Sequence, residues 1–318
     1  MANDILVITE HLNGKMADIS YEMVGKAKSL ASALGGSAIA VVLGSGAVSL
    51  AEGFASDSTL YVDDAALAQY NPEAVGRVVA ALVAERSPRL LMFGYTSMGM
   101  DVASWLSVKA GIPHVAYVKN LSVDGGNVTV TSQLYNGKAM AESVPEGDSA
   151  IVSILAGNSP ADNGKGSVAV EQIASPADLS GLKVKFVRLI EPAAGDVDIT
   201  AQDKLVAIGR GIGSKDDIAV AEELAEALGA TLAASRPLID AGWLAKTRQV
   251  GKSGLSVKPK LYLALGISGA PEHVEGMSGA ELIIAVNTDP NAPIFDVAHY
   301  GATCDLFDVV EGLLEKLG

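Results

Sequence analysis

The sequence predicts an α/β protein built as two doubly wound, mostly parallel sheet domains, with antiparallel strands appended to the first sheet. Three observations carry this. Hydrophobic residues make up 49% of the 318 residues and glycine 34 positions, while aromatics are only 5%, the profile of Val/Ile/Ala-rich strands alternating with Ala-rich helices. Short apolar runs of strand length alternate with segments of helical period along both halves of the chain. The length suits two cores rather than one.

The first domain is expected over residues 1–190. "DILVITEH" is a short apolar run suited to a buried parallel strand. "DISYEMVGKAKSLASALGG" follows with Ile19, Met23, Leu30 and Leu34 on one helical face, and Gly35 stops that helix. A strand "SAIAVVLG", a helix over about 72–85, a strand "RLLMFG", a helix "MDVASWLSVKAG" and a strand "PHVAYV" continue the alternation, which implies right-handed crossovers and a parallel sheet. Over 121–155 the period changes to two, broken by Asp-Gly-Gly, Asn-Gly and Pro-Glu-Gly turns; these read as antiparallel strands on the sheet's edge.

"FVRLIEPAAGDVDITAQDK" has proline, glycine and acids without a period, which places a linker at 191–202 and the second domain at 203–318. That domain opens with the strand "KLVAIG" and a helix "IAVAEELAEALGA", whose Ile218, Ala221, Leu224, Ala225 and Leu228 share a face and which Gly229 caps. Strands "ATLAAS", "LYLALGIS" and "LIIAVN" and a helix over about 302–317 complete a second doubly wound pattern.

The formal net charge of −14 opposes phosphate backbones, and no Lys/Arg cluster offsets it, which argues against nucleic acid and anionic membranes as partners. One cysteine, Cys304, permits neither an intrachain disulfide nor a cysteine-based metal cluster. A strand pattern begins by Asp4, so neither a secretory leader nor a transit peptide is expected, and no apolar run reaches membrane-spanning length. A cytoplasmic location follows as the expectation. His11, His114, His273 and His299 lack metal-ligand spacing and read as structural histidines.

Ligands of open parallel sheets bind outside the carboxyl ends of the strands. Those positions in the second domain hold Gly209, Arg210 and Gly211 after "KLVAI", Ser235 and Arg236 after "ATLAA", Gly266 to His273 after "LYLAL", and Asn287 after "LIIAV". Singly each is an ordinary turn glycine or surface residue; together they supply backbone N–H groups, two guanidinium groups and hydroxyls, as a diphosphate-containing dinucleotide needs. Two familiar motifs fail. "GKS" at 251–253 would need its first P-loop glycine at Lys246, and the third glycine of "GRGIG" falls one place early for G-x-G-x-x-G.

The ordered set "GRG", "ASR", "DAGW", "RQVGKSG", "PKLYLALGISGAPEH", "AVNTDPNAPIFDVAHYG" and "CDLFDVV" resembles the C-terminal domain of the electron transfer flavoprotein α subunit, nearly unbroken from about residue 206 to the end. The first half is similar more loosely, through its α/β order and "LYNGKA". The resemblance implies a Rossmann-like FAD-binding second domain and a first domain that supplies the interface to a β subunit in a heterodimer. It implies an electron carrier rather than a substrate-transforming enzyme. Flavin dehydrogenases, such as acyl-CoA dehydrogenases, would donate electrons and a membrane quinone oxidoreductase would accept them. Some relatives instead bifurcate electrons from NADH.

Carried over residue by residue, the resemblance assigns FAD contacts to Arg210, Ser235 and Arg236, then to Gln249, Val250, Gly251, Lys252 and Ser253. It adds Gly266, Ser268, Gly269, Ala270, Pro271, Glu272 and His273, and finally Asn287, Asp305 and Leu306. Arg236 would lie against the isoalloxazine face, Ser253 near flavin N5, and His273 near the pyrimidine carbonyl, with Asn287 and Asp305 on the adenosine portion. The family usually has Gln-Thr where this chain has Lys252-Ser253, and Ile-Gln where it has Pro271-Glu272. Ser253 keeps the hydroxyl, Lys252 and Glu272 add opposite charges, and Pro271 removes an N–H donor. Two other readings are an NAD-dependent dehydrogenase, which would need a stricter glycine fingerprint and an acid–base group, and a nucleotide-binding module without redox work.

Overall fold

The computed structural model describes residues 3–135, 138–189 and 197–317. They form two compact units, Met1–Arg188 and Leu189–Gly318. The Asn-Gly turn at 136–137 and positions 191–196 of the expected linker lie outside the described residues.

In the first unit β1 (Ile5–Ile8) leads to a small hairpin of β2 (His11–Leu12) and β3 (Lys15–Met16), then α1 (Asp18–Leu34), β4 (Ala38–Gly44), α2 (Val48–Ala51), β5 (Ser58–Asp63), α3 (Pro72–Arg86), β6 (Leu90–Gly94) and α4 (Ser97–Ala110). β7 (His114–Asp124), β8 (Asn127–Leu134), β9 (Ala139–Ser143), β10 (Ala150–Ile154) and β11 (Val170–Ala174) complete a nine-stranded sheet ordered β11-β5-β4-β1-β6-β10-β7-β8-β9. Helix ends follow local chemistry. Gly35 closes α1 at φ 69°, donating to the carbonyls of Ala31 and Ser32. Asn71 caps α3 by accepting from the N–H groups of Glu73 and Ala74, and Pro72 occupies the first turn, where no N–H is needed.

Two features of this sheet depart from the sequence reading. The segment expected to be wholly antiparallel supplies one central parallel strand: β10 inserts between β6 and β7, parallel to both. Its five residues, Ala-Ile-Val-Ser-Ile, are all buried, because helices or strands cover both sheet faces there and no period-2 alternation survives. Among the described residues of this sheet only β7–β8 and β8–β9 pair antiparallel, at the sheet's end. Two strands escaped prediction. β5 is joined to β4 by a crossover whose only helix, α2, has four residues, and β11 pairs with β5 from a polar stretch that carries no apolar run. One face of the sheet packs on α1 through Ile19, Met23 and Leu30, the other on α3 and α4 through Val78, Leu82 and Leu106.

The second unit is a five-stranded, all-parallel sheet: β12 (Lys204–Ile208), β13 (Thr231–Ala234), β14 (Leu261–Leu265), β15 (Ile283–Val286) and β16 (Tyr300–Ala302), ordered β13-β12-β14-β15-β16. Its helices are α5 (Ile218–Ala227), α6 (Arg236–Asp240), α7 (Pro271–Glu275) and α8 (Leu306–Leu317). The last helix starts later than expected, since residues 300–302 pair with β15 instead. Ile199, inside the expected linker, is fully buried in this unit's core. Its turn is held by the Asp198 carboxylate accepting from Thr200 N–H. The chain moves from β12 to β13 on one side and returns to β14 on the other, so the topological switch point lies between β12 and β14.

Candidate functional site

The carboxyl ends of β12 and β14 meet without side chains between them. A Cβ at Gly209 would strike the Gly266 carbonyl, one at Gly211 would stand 2.6 Å from Gly266 Cα, and one at Gly266 would stand 2.7 Å from Gly211 Cα. Gly209 N–H donates to Leu265 O at 2.9 Å and Gly211 N–H to Gly266 O at 3.1 Å. Gly266 has φ +63°, where a β-carbon costs energy as well as space. Three glycines thus let two strand ends close to backbone contact. Arg210 projects from the turn between Gly209 and Gly211 and is exposed.

A second backbone closure flanks the first. Gly251, at φ +134°, lies so near α7 that a Cβ would stand 2.8 Å from Glu272 O. Lys252 N–H donates to that same carbonyl at 2.7 Å. Gly276 faces Gly251 from beyond α7, and a Cβ there would strike Gly251 N and Cα. Val250 N–H donates to Ala234 O at 2.9 Å, which ties this loop to the end of β13 beside Ser235. Gln249 is buried and its Nε2 donates to Ser253 Oγ at 2.9 Å.

Around β14 and β15, Asn287 Nδ2 donates to Ile267 O at 2.9 Å while its Oδ1 accepts from Asp289 N–H. Ser268 O accepts from Ile294 N–H at 3.1 Å, and Gly269, at φ +84°, sits against the backbone of Ile294. Leu306 is buried with its Cδ2 against the Gly266 position, and Asp305 beside it accepts from Phe307 N–H. Ala270, Pro271 and Glu272 open α7 and are exposed. The sequence-expected residues of four separate strand ends are therefore linked by backbone and side-chain contacts into one rim. Arg236 is the exception. It is held by an exposed ion pair to Asp240, one helical turn on, at 3.1 Å.

His273 is buried, with Nε2 2.9 Å from the Tyr262 hydroxyl and the Val250 backbone as the ring's other polar neighbour. Burial pushes its pKa down to about 4, so the ring is neutral near pH 7. Tyr262, whose own ionisation burial pushes up, was not foreseen as a site residue. It reads in the sequence as one more inward strand position. Gly276 was missed for the same reason, since only the packing of α7 against the Gly251 loop gives it a neighbour; Asp240 is the i+4 partner of Arg236 within α6, a local spacing the sequence reading passed over.

These features are compatible with FAD. Glycine-only backbone closures shape the carboxyl ends of β12 and β14 and the Gly251 loop, the region where ligands of open parallel sheets bind, and the buried neutral imidazole of His273 stands beside that loop.

Comparison with known proteins agrees. The model of the electron transfer flavoprotein domain matches residues 5–178, and that of the electron transfer flavoprotein FAD-binding domain matches residues 198–278. The electron transfer flavoprotein subunit alpha of Thermoanaerobacterium thermosaccharolyticum is 33% identical over 99% of this chain and 97% of its own length. That of Methylophilus methylotrophus is 35% identical over 98% of each. The acryloyl-CoA reductase electron transfer subunit beta of Anaerotignum propionicum is 31% identical over 99% of this chain and 95% of its own. The second unit is a FAD-binding domain, and the chain belongs to the electron transfer flavoprotein alpha-subunit family.

Proposed function

We propose that this chain, paired with a β subunit, receives electrons from flavin dehydrogenases of the acyl-CoA type and delivers them to a quinone oxidoreductase through FAD held in its second unit. The observation that carries the reading is the pair of glycine closures at the β12/β14 switch point and at Gly251, inside the region matched to the FAD-binding domain. FAD supplies one- and two-electron redox chemistry when bound. The protein's part is to hold, orient and tune it.

In this reading the backbone at Gly251–Ser253 and Ser268–Glu272, with Gln249 and Val250 beneath it, takes the diphosphate and ribityl chain. Ser235, Arg210 and Gly266 edge the crevice, and Asn287, Asp305 and Leu306 hold the adenosine portion. His273 meets the pyrimidine edge as a neutral imidazole, with Tyr262 fixing its other nitrogen. Arg236 lies against the ring face once its side chain leaves Asp240, and Arg suits that place because it stays charged and stacks on planar rings. The extent of the two domains, 1–190 and 203–318 about a linker at 191–202, belongs to the same proposal. So does assignment of the first to the β-subunit interface and of the protein to the cytoplasm. Among the described residues no helix is long and apolar enough to cross a membrane.

The acryloyl-CoA reductase relative favours a second reading, in which electrons run toward a CoA-thioester reductase instead. Co-expression with an electron transfer flavoprotein β subunit, followed by anaerobic titration with an acyl-CoA dehydrogenase and with NADH in separate cuvettes, discriminates them. Retained FAD bleached by the dehydrogenase supports the first reading. Bleaching by NADH alone supports a bifurcating or reductase-coupled assembly, and failure to retain FAD with the β subunit present refutes both.

A further inference from the structure

The first unit has a switch point of its own, and a cavity stands there. β1 lies between β4 and β6, and the chain passes from β1 to β4 and β5 on one side before returning to β6 on the other. A cavity of about 350 Å³ opens at the carboxyl ends of these strands, within the range of small-molecule sites. Its walls are about evenly apolar and polar: Ile8, Leu43, Phe93 and Val102 form an apolar part, and Glu10, His11 and Tyr70 are its ionisable groups.

We propose that this cavity binds a protonated primary amine carried on an apolar, arene-sized body, with Glu10 as its counter-ion. The site is built around that carboxylate. Glu10 is only 7% exposed. Gly94 and Gly99 make room for it: a Cβ on either would stand 2.9 or 3.2 Å from Glu10 Oε1. Thr96, which caps α4, accepts from Gly99 N–H and lies 2.8 Å from both carboxylate oxygens, so its single hydroxyl hydrogen is directed at Glu10. One hydroxyl donor serves a group with about four acceptor positions.

No Lys or Arg lines the cavity among the described residues. A buried carboxylate without a cation is costly, and burial accordingly pushes the Glu10 pKa up to about 7. The missing positive charge is what a ligand would bring. A phosphorylated ligand would meet the same carboxylate as a repulsion, with no guanidinium or ammonium to offset it.

The neighbouring polar groups are engaged with the protein rather than with the Glu10 carboxylate. Tyr70, in the loop before α3, has its hydroxyl on Met98 O and near Asp101 of α4, and its ionisation is pushed further up by burial, Asp101 and Glu10. His11 Nε2 is 2.8 Å from Leu43 O. Asp63 of β5, near the rim, accepts from Gly46 N–H and the Tyr61 hydroxyl. α1 presents Ser20, which accepts from Glu10 N–H.

The test is calorimetric titration of the full-length chain with three isosteric probes: tryptamine, the neutral alcohol tryptophol and the anion indole-3-propionate. Tryptamine should bind best, and its affinity should rise about tenfold from pH 6 to pH 8 as Glu10 loses its proton while the amine keeps its own. Glu10→Gln should erase both the preference for the amine and the pH dependence. Leu50→Trp, which fills the cavity without touching Glu10, should abolish binding of all three. Binding of tryptophol or indole-3-propionate as tight as tryptamine overturns the proposal. So does a tryptamine pH profile unchanged in Glu10→Gln, or no binding of tryptamine at millimolar concentration to a folded chain. This inference is independent of the flavin site.

Discussion

Gly266→Ala tests the β12/β14 closure directly. The new methyl would stand 2.7 Å from Gly211 Cα, 3.0 Å from Gly211 C and 3.0 Å from Leu306 Cδ2, at a residue with φ +63°. Leu306 can rotate away; the Gly211 backbone cannot, since its N–H is bonded to Gly266 O. The left-handed conformation costs about 1–2 kcal/mol for a residue with a β-carbon, and forcing a methyl into closed packing adds about 1–3 kcal/mol. A total near 3 kcal/mol is expected. Gly229→Ala is the matched control: φ +59° with nothing within 4 Å of the added carbon, so it carries the conformational cost alone. The assay is urea unfolding in a Trp105→Phe background, which leaves Trp243 of the second unit as the sole tryptophan reporter. FAD retention with the β subunit is scored in parallel. Gly266→Ala should lose roughly 1–3 kcal/mol more than Gly229→Ala and release FAD. Equal losses with FAD retained would refute the reasoning, because the crevice would then tolerate a side chain.

The two units should respond to pH in opposite directions. His273 has a folded pKa of about 4 against 6.5 unfolded, so the second unit loses about 3 kcal/mol as pH falls from 6.5 through 4. Substituting His273→Gln should flatten that slope in Trp243-monitored unfolding. Glu10 has a folded pKa of about 7 against 4.5 unfolded; its contribution is present below pH 4.5 and is lost as pH rises through 7. Glu10→Gln should therefore gain about 3 kcal/mol relative to wild type between pH 4.5 and 8, read through Trp105 in a Trp243→Phe background. Tyr262→Phe strands His273 Nε2 in the core and should cost about 1–3 kcal/mol in the unloaded chain. Arg236→Ala should lower the one-electron potential of bound FAD by on the order of 40–180 mV, for a charge about 4 Å from the ring. Asp240→Asn should raise it, and potentiometric titration of the loaded heterodimer checks both.

The strands and helices with strong periodicity were legible: "DILVITEH", the α1 face of Ile19, Met23 and Leu30, and all four apolar strands of the second unit lie where their patterns place them. Cap chemistry was legible as well, since Gly35 and Gly229 both hold left-handed φ angles. β10 was misassigned because "AIVSI" has no period of its own, and only its neighbours β6 and β7 decide its direction. β5 and β11 pair residues 111 positions apart in the chain, beyond the reach of any local signal. The resemblance pointed to the strand-end residues of the flavin site, yet the Tyr262–His273 contact depends on how α7 packs against β14, whereas the Arg236–Asp240 pair, four residues apart on α6, lay within reach of local spacing.

Local sequence by itself determined where the chain must be strand, helix or turn, because apolar period and left-handed glycines are properties of a few consecutive residues. Its motifs in order also determined the family and the cofactor. Tertiary structure alone decided which glycines are indispensable. Gly266 and Gly229 have nearly the same φ, but only Gly266 is pressed against another strand end. It likewise decided that Glu10, an ordinary acid in "VITEH", is a buried carboxylate beside a cavity. Both outcomes depend on contacts between residues distant in sequence, and burial and proximity exist only once the sheet order is set.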